Sequence, residues 1–406
     1  MPRDNRFRHQ NYPPQPVAKP QFKHAVAYDG RQRRDFDRLH ADLGIRDIVV
    51  VHGTFMGDDP LGIVEILKSV SRSVPVLSQK IDQLAAEVQK RTRPLTNSVS
   101  EDIANYTPKF GDEFQKLTGD DVKVERLEPT WSSQNDHFAR ADLAVRLVCR
   151  LEDLRLAEDE RVLLWGHSHA GNGFAILSNL LANHRQSVES LFGLVEANAV
   201  GTDRFGQHWK RARQILASGP SPHPLSRQIY IAAFGTPVRY GWDINGYRQL
   251  VHLQHHKKWE EKRPELTRPL FPPHTPHETV TAQHGDWVQA FAIAGTDVPT
   301  LPGRKMHDAL AQILEAGLEE PRHGFDTRFL FPKKVRDTCA RWKAGTRCHA
   351  DGLSLLVDYA FTQRKTKLLL PIEQSVFGHG VATTIDFLPT HLGFIMDALI
   401  KEEFAP

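Results

Sequence analysis

The sequence predicts an α/β fold, with a mostly parallel central sheet, helices on both faces and insertions that form a lid. Short apolar, β-branched runs recur along the chain, the pattern of strands buried on both faces of a parallel sheet. Helical patterns lie between them, as the crossovers between parallel neighbours require. Two long stretches, about 60–120 and 242–285, fit neither pattern and read as insertions.

Residues 1–40 are rich in Pro, Arg, Gln and Tyr and lack apolar periodicity, so they read as a poorly ordered arm or surface strap outside a domain spanning 41–406. Within that domain, Arg46 to Gly53 is a β-branched run ended by glycine and is the first strong strand. Further strands are expected at Val122 to Leu127, Arg161 to Trp165, Gln228 to Phe234, Trp287 to Ala294 and Thr366 to Ile372. The clearest helix is Phe138 to Leu156, where Leu143, Leu147, Leu151 and Leu154 recur at helical spacing. Others are expected at Ala170 to Leu181, Lys305 to Leu318 and Pro389 to Glu403. The first insertion carries an amphipathic segment from Leu77 to Val88, and the second is rich in Pro, His and charge.

Composition narrows the function classes. The 406 residues are 40% hydrophobic and 25% charged, ordinary for a globular chain, and the formal net charge of +3 does not suggest a dedicated nucleic-acid binder. The three cysteines, Cys149, Cys339 and Cys348, form no disulfide framework and suit a reducing compartment, although Cys339 and Cys348 have the option of pairing. Charge at the N-terminus is followed by no apolar stretch, so no Sec-type signal peptide is expected and the chain reads as cytoplasmic, with signal-less export an alternative. No window approaches the roughly 20 apolar residues of a spanning helix, which leaves peripheral contact as the furthest membrane association expected.

The chemistry centres on Leu163-Leu-Trp-Gly-His-Ser-His-Ala-Gly-Asn172, a strand running into a helix through a turn with Ser168 at its apex. Such a turn strains its apex residue, so the positions two before and two after must be small, and here they are Gly166 and Ala170. It lifts the serine oxygen above the sheet edge and aims the following N–H, that of His169, at a developing oxyanion. His167 and His169 themselves should point away from Ser168 and line the pocket mouth. The histidines at 252, 255, 256, 274, 277 and 284 crowd the second insertion, but no Cys accompanies them and no His-Glu-x-x-His helix appears, so a solvated lid is expected there and no metal site. Phe234 to Trp242 follows a strand and brings aromatics to the expected pocket rim.

From these residues the chain resembles the α/β-hydrolase superfamily in its lipase and esterase branches, over about residues 46–404. Ala170 stands where the usual motif has glycine. The resemblance implies an oxyanion donor in Val51-His-Gly-Thr54, namely Thr54, with Phe55 the alternative. It implies an acid after a later strand, for which Asp297 in Gly-Thr-Asp297-Val-Pro is the choice and Asp243 and Asp358 the competitors. It also implies a base between the last strand and the last helix. There His379 sits between Gly378 and Gly380, and His391 competes from the final helix. The expected activity is hydrolysis of carboxylic esters, with lipid-like or hydrophobic acyl groups, through an acyl-Ser168 intermediate and without metal or organic cofactor. A phospholipase, a thioesterase or amidase, and a non-catalytic binding module on the same scaffold are the alternatives.

Overall fold

The structure is a computed structural model that describes residues 7, 18–27, 36, 38–53, 106–127, 131–132, 134–198, 206–237, 240–256, 285–286, 289, 304–314, 351–360 and 378–403. Its centre is a seven-stranded sheet in which every pairing is parallel. The strands are β1 (Gln21–Val26), β2 (Ile45–Val51), β3 (Lys123–Arg126), β4 (Arg161–His167), β5 (Ile229–Phe234), β6 (Gln249–His255) and β7 (Leu353–Ala360), in the spatial order β1-β7-β6-β5-β4-β2-β3.

Side-chain period explains why the central strands read as unbroken apolar runs. In β2, Val49 and Val51 pack into one core and Ile48 and Val50 into another on the opposite face, so both parities must be apolar. β4 divides likewise, with Val162 and Leu164 on the first face and Leu163 and Trp165 on the second. Each fully buried Val, Leu or Ile contributes roughly 1.5–3 kcal/mol.

Eight α-helices are described: α1 (Arg38–Leu43), α2 (Pro108–Thr118), α3 (His137–Leu154), α4 (Ala170–Ala182), α5 (Arg185–Asn198), α6 (Gln207–Ser218), α7 (Arg304–Leu314) and α8 (Leu388–Glu403). Residues of α3 to α7 share the first core, while those of α1, α2 and α8 share the second. Helix α3 starts where Asp136 caps it by accepting the Ala139 N–H at 2.8 Å, and α2 starts at Thr107 followed by Pro108.

Several sequence expectations change. Within the stretch read as an arm, Gln21–Val26 pairs with β7 as a parallel edge strand, where only Ala25 is buried, so half-buried Gln21 and Lys23 and exposed His24 are tolerated and no strand-like apolar run is needed. Residues 242–285 are not insertion throughout: Gln249–His255 is the sixth strand, whose His252, Gln254 and His255 are buried but break the apolar pattern. The last strand described is Leu353–Ala360. The expected strand at Thr366–Ile372 and the segment Leu77–Val88 lie outside the described residues, and of Trp287–Ala294 only Gln289 is described, in helical conformation. The end of the first insertion supplies α2, which packs Phe110 and Phe114 into the second core.

The connectivity also locates a crevice. From β2 the chain moves outward to β3, then returns to the other side of β2 to form β4, after which β5, β6 and β7 follow in order. The β2/β4 boundary is therefore a topological switch point, and in open α/β sheets ligands bind beyond the carboxyl ends of the strands at such a point.

Candidate active site

Ser168 sits at that switch point, immediately after β4 and two residues before α4, with φ of 57°. Among the described non-glycine residues only Arg155 and Asn183 share a positive φ, and each of them is the left-handed cap of a helix C-terminus. Ser168 has no such role. A left-handed backbone costs an L-residue about 1–2 kcal/mol, so surrounding contacts must hold it. The Ser168 N–H donates to Phe234 O at 2.8 Å, anchoring the apex to the end of β5.

The small residues of the turn are needed for space. A Cβ on Gly166 would overlap the Phe174 ring of α4, and it would also crowd the Ala170 methyl at 3.2 Å. At the end of β2, Gly53 lies against the serine, since a Cβ there would come within 2.7 Å of Ser168 Cβ. Thr54 and Phe55, the oxyanion donors that the resemblance implied, are outside the described residues. His169 is the N-terminal cap of α4, which aligns the helix dipole with any negative charge beside its backbone. Its ring Nδ1 accepts from Asn172 Nδ2 at 2.9 Å.

His379 belongs to the segment between β7 and α8, just after Gly378, whose φ is 84°. Its Nδ1 donates to Asp286 Oδ2 at 2.6 Å, and the side chains are only 4% and 2% exposed. Donation from Nδ1 leaves Nε2 with its lone pair, and that nitrogen is buried without a hydrogen-bond partner among the described residues. A buried imidazole fixed by a carboxylate on one side and open on the other is arranged to take a proton at Nε2. The ring of His167, the residue before Ser168, lies 4.2 Å from that of His379, so His379 and Ser168 occupy one end of the sheet.

Asp286 is held beside the end of β6, where its N–H donates to His255 O at 3.2 Å and Gly285 bridges to His256. Its other oxygen, Oδ1, accepts the Gln289 N–H at 2.8 Å, and the Gln289 side chain donates to Thr236 O at 3.0 Å. Gly235, with φ of 55°, passes so close that a Cβ would lie 2.7 Å from Asp286 Oδ2 and 3.1 Å from the His379 ring.

The other sequence candidates lie elsewhere or outside the described residues. Asp297, the acid that the resemblance implied, is outside them, and the carboxylate set against His379 is that of Asp286. Asp243 meets His184 at 3.2 Å and accepts the Asn245 N–H, while Asp358 faces the exposed His24 from β7. His391 is buried in α8 with Nε2 hydrogen-bonded to the Tyr359 hydroxyl at 2.8 Å; burial lowers its pKa to about 3. His167 does not line a mouth: it is buried, and burial together with the neighbouring His379 lowers its pKa well below the ordinary range.

Asp286 and Gly235 join the site without having been singled out from sequence, and His255, placed by sequence in a solvated lid, is instead buried beside it at the end of β6. Asp286 had one local signal, a glycine immediately before it, but its strand β6 was hidden in a polar segment. Cys149 is buried with its thiol pushed to about 11, and Cys339 and Cys348 are outside the described residues. Among the described residues, no group of three His, Cys, Asp or Glu side chains is arranged to hold a metal ion, and no helix is long and apolar enough to cross a membrane. Comparison with protein-family models, curated proteins and solved structures gave no match.

Proposed function

We propose that the chain is a serine hydrolase of α/β-hydrolase type that cleaves carboxylic esters through an acyl-Ser168 intermediate. The observation that carries this reading is the buried Asp286–His379 pair with its open Nε2, at the same sheet edge as a serine held at positive φ. The order of the parts supports it too: nucleophile after β4, acid beyond β6 and base beyond β7, in the chain order Ser, Asp, His used by that superfamily.

In acylation, His379 Nε2 takes the Ser168 proton as Oγ attacks the ester carbonyl, and Asp286 stabilises the imidazolium that forms. The carbonyl oxygen becomes an oxyanion, for which the His169 N–H is one donor and the Thr54 N–H is the second that the resemblance implies. Losing one such donor typically costs about 10²–10³ in rate. Collapse of the tetrahedral species breaks the ester C–O bond, and His379 returns the proton to the departing alkoxide. Water then gives its proton to His379 Nε2 as it attacks the acyl carbon; the acyl C–Oγ bond breaks, and His379 returns that proton to Ser168 Oγ, which frees the acid and restores the site.

We assign a hydrophobic acyl group as the substrate class. β2 and β6 both end at the sheet edge carrying Ser168, and the long sequences that follow them are the ones whose length suits a cover over an apolar chain. Initial rates on soluble esters of short and long acyl chains, for wild type and Ser168→Ala, test the reading. The expected result is activity rising with chain length and abolished by Ser168→Ala; a fully active Ser168→Ala enzyme refutes it. Greater headgroup release from phospholipid vesicles than turnover of soluble esters would move the substrate to phospholipid.

A further inference from the structure

Two buried histidines hold the peptide groups on either side of the proposed base. His255 Nδ1 lies 2.8 Å from Gly378 O, and His167 Nε2 lies 3.2 Å from His379 O. These are the carbonyls that flank the His379 α-carbon. A carbonyl oxygen only accepts, so each imidazole must donate: His255 carries its proton on Nδ1 and His167 on Nε2. The two rings are thus used in opposite tautomers.

Their origin in the sheet explains the pairing. His167 ends β4 and His255 ends β6, two strands apart with β5 between them. By strand parity both project to the face covered by α8, together with Leu163 and Trp165 of β4 and Val251 and Leu253 of β6. The register pairs His167 with Phe234 and Phe234 with Leu253, so His255 reaches two residues further along the sheet than His167, and the segment entering α8 is bound by both side chains. Tyr359 meets the His255 ring edge-on at 5.2 Å and Tyr106 meets the His167 ring edge-on at 6.3 Å, which limits rotation of both imidazoles.

We propose that His167 and His255 form a clamp that positions His379 for proton transfer with Ser168, acting through the two backbone carbonyls rather than on the substrate. This inference rests on His379 being the catalytic base. The Asp286 contact fixes the ring at Nδ1 only, and a ring held at one point still swings about its own backbone. Fixing both flanking peptides removes that freedom. His167 suits the task because burial keeps it uncharged while His379, 4.2 Å away, gains and loses its proton.

The opposite tautomers give a test that general loss of packing would not mimic. The amide nitrogen of Gln approximates the reach of Nε2 and that of Asn the reach of Nδ1. The rate constant for fluorophosphonate labelling of Ser168, with kcat and KM on a soluble ester, is measured for Gln, Asn and Phe at each position. At position 167 the Gln variant should keep most of the wild-type rate, while Asn and Phe slow it about 10²-fold, the effect typical of a misplacement of about 1 Å. At position 255 the ranking reverses, with Asn retained and Gln and Phe slowed. The losses should fall on kcat and leave KM nearly unchanged. Phe variants that label at the wild-type rate overturn the clamp while leaving the hydrolase reading intact, as do Gln and Asn variants that behave alike at both positions. If the Phe variants do not fold, the Gln and Asn comparison decides alone. A wild-type protein that does not label at Ser168 refutes the hydrolase reading and, with it, the clamp.

Discussion

His379 donates Nδ1–H to Asp286 Oδ2 across 2.6 Å, and the two residues, 93 positions apart in sequence, are both buried. The carboxylate selects the tautomer that leaves Nε2 as a base and offsets the charge when that base is protonated. In Asp286→Asn an amide N–H would face the ring and favour the opposite tautomer. The expected outcome is a fall in kcat of about 10⁴-fold with the fold intact, measured by steady-state ester hydrolysis and circular dichroism. Asp297→Asn should leave kcat unchanged. The reverse ranking would move the acid to Asp297.

Gly235 makes a second prediction, because it meets the pair from the end of β5. Its positive φ disfavours any Cβ, and the added methyl would press on Asp286 Oδ2 and the His379 ring. Gly235→Ala should lose about 1–2 kcal/mol of stability from the backbone and, in addition, most of its activity. Denaturant unfolding and kcat measured together check this. Unchanged kcat in a folded variant would show that the close approach has no catalytic consequence.

Gly53 tests the switch-point crevice. An alanine there brings a methyl to 2.7 Å from Ser168 Cβ and 3.1 Å from His167 O, so the serine must shift. A misplacement of about 1 Å costs about 10²-fold in rate, and Gly53→Ala should show that loss in kcat. Normal kinetics would place the nucleophile's working position away from β2.

Stability should depend on pH through His252 and His391, which burial lowers to about 3 from the ordinary 6.5. Both are neutral in the folded chain over a range where the unfolded chain is protonated. Between 6.5 and about 3 the unfolded state therefore binds more protons, and stability falls as pH falls. Above 6.5 their contribution is complete. Thermal unfolding midpoints between pH 7 and pH 4.5 should decline, and less steeply in His391→Gln than in wild type. Equal slopes would remove His391 as a source of the pH dependence.

The strands most legible in the sequence are those buried on both faces, β2, β4 and β5, because two-sided burial forces apolar residues at both parities. Ser168 was legible for a related reason, since the sharp turn demands Gly166 and Ala170 around it. β6 was hidden by His252, Gln254 and His255, polar residues buried in a strand. With β6 unrecognised, its end could not be known to hold Asp286, whose pairing is a tertiary fact. The clamp was hidden more deeply, because neither tautomer nor ring direction is written in a histidine's place in the chain. His379 itself could be found by order, standing between the last strand and the last helix.

The most direct test of the account is where a fluorophosphonate attaches. Intact-mass and peptide mass spectrometry of the labelled chain should find one adduct, on Ser168. It should be lost in Ser168→Ala and form far more slowly in His379→Ala and Asp286→Asn. An adduct on another residue, or labelling undiminished in Ser168→Ala, would contradict the assignment of Ser168 as the nucleophile.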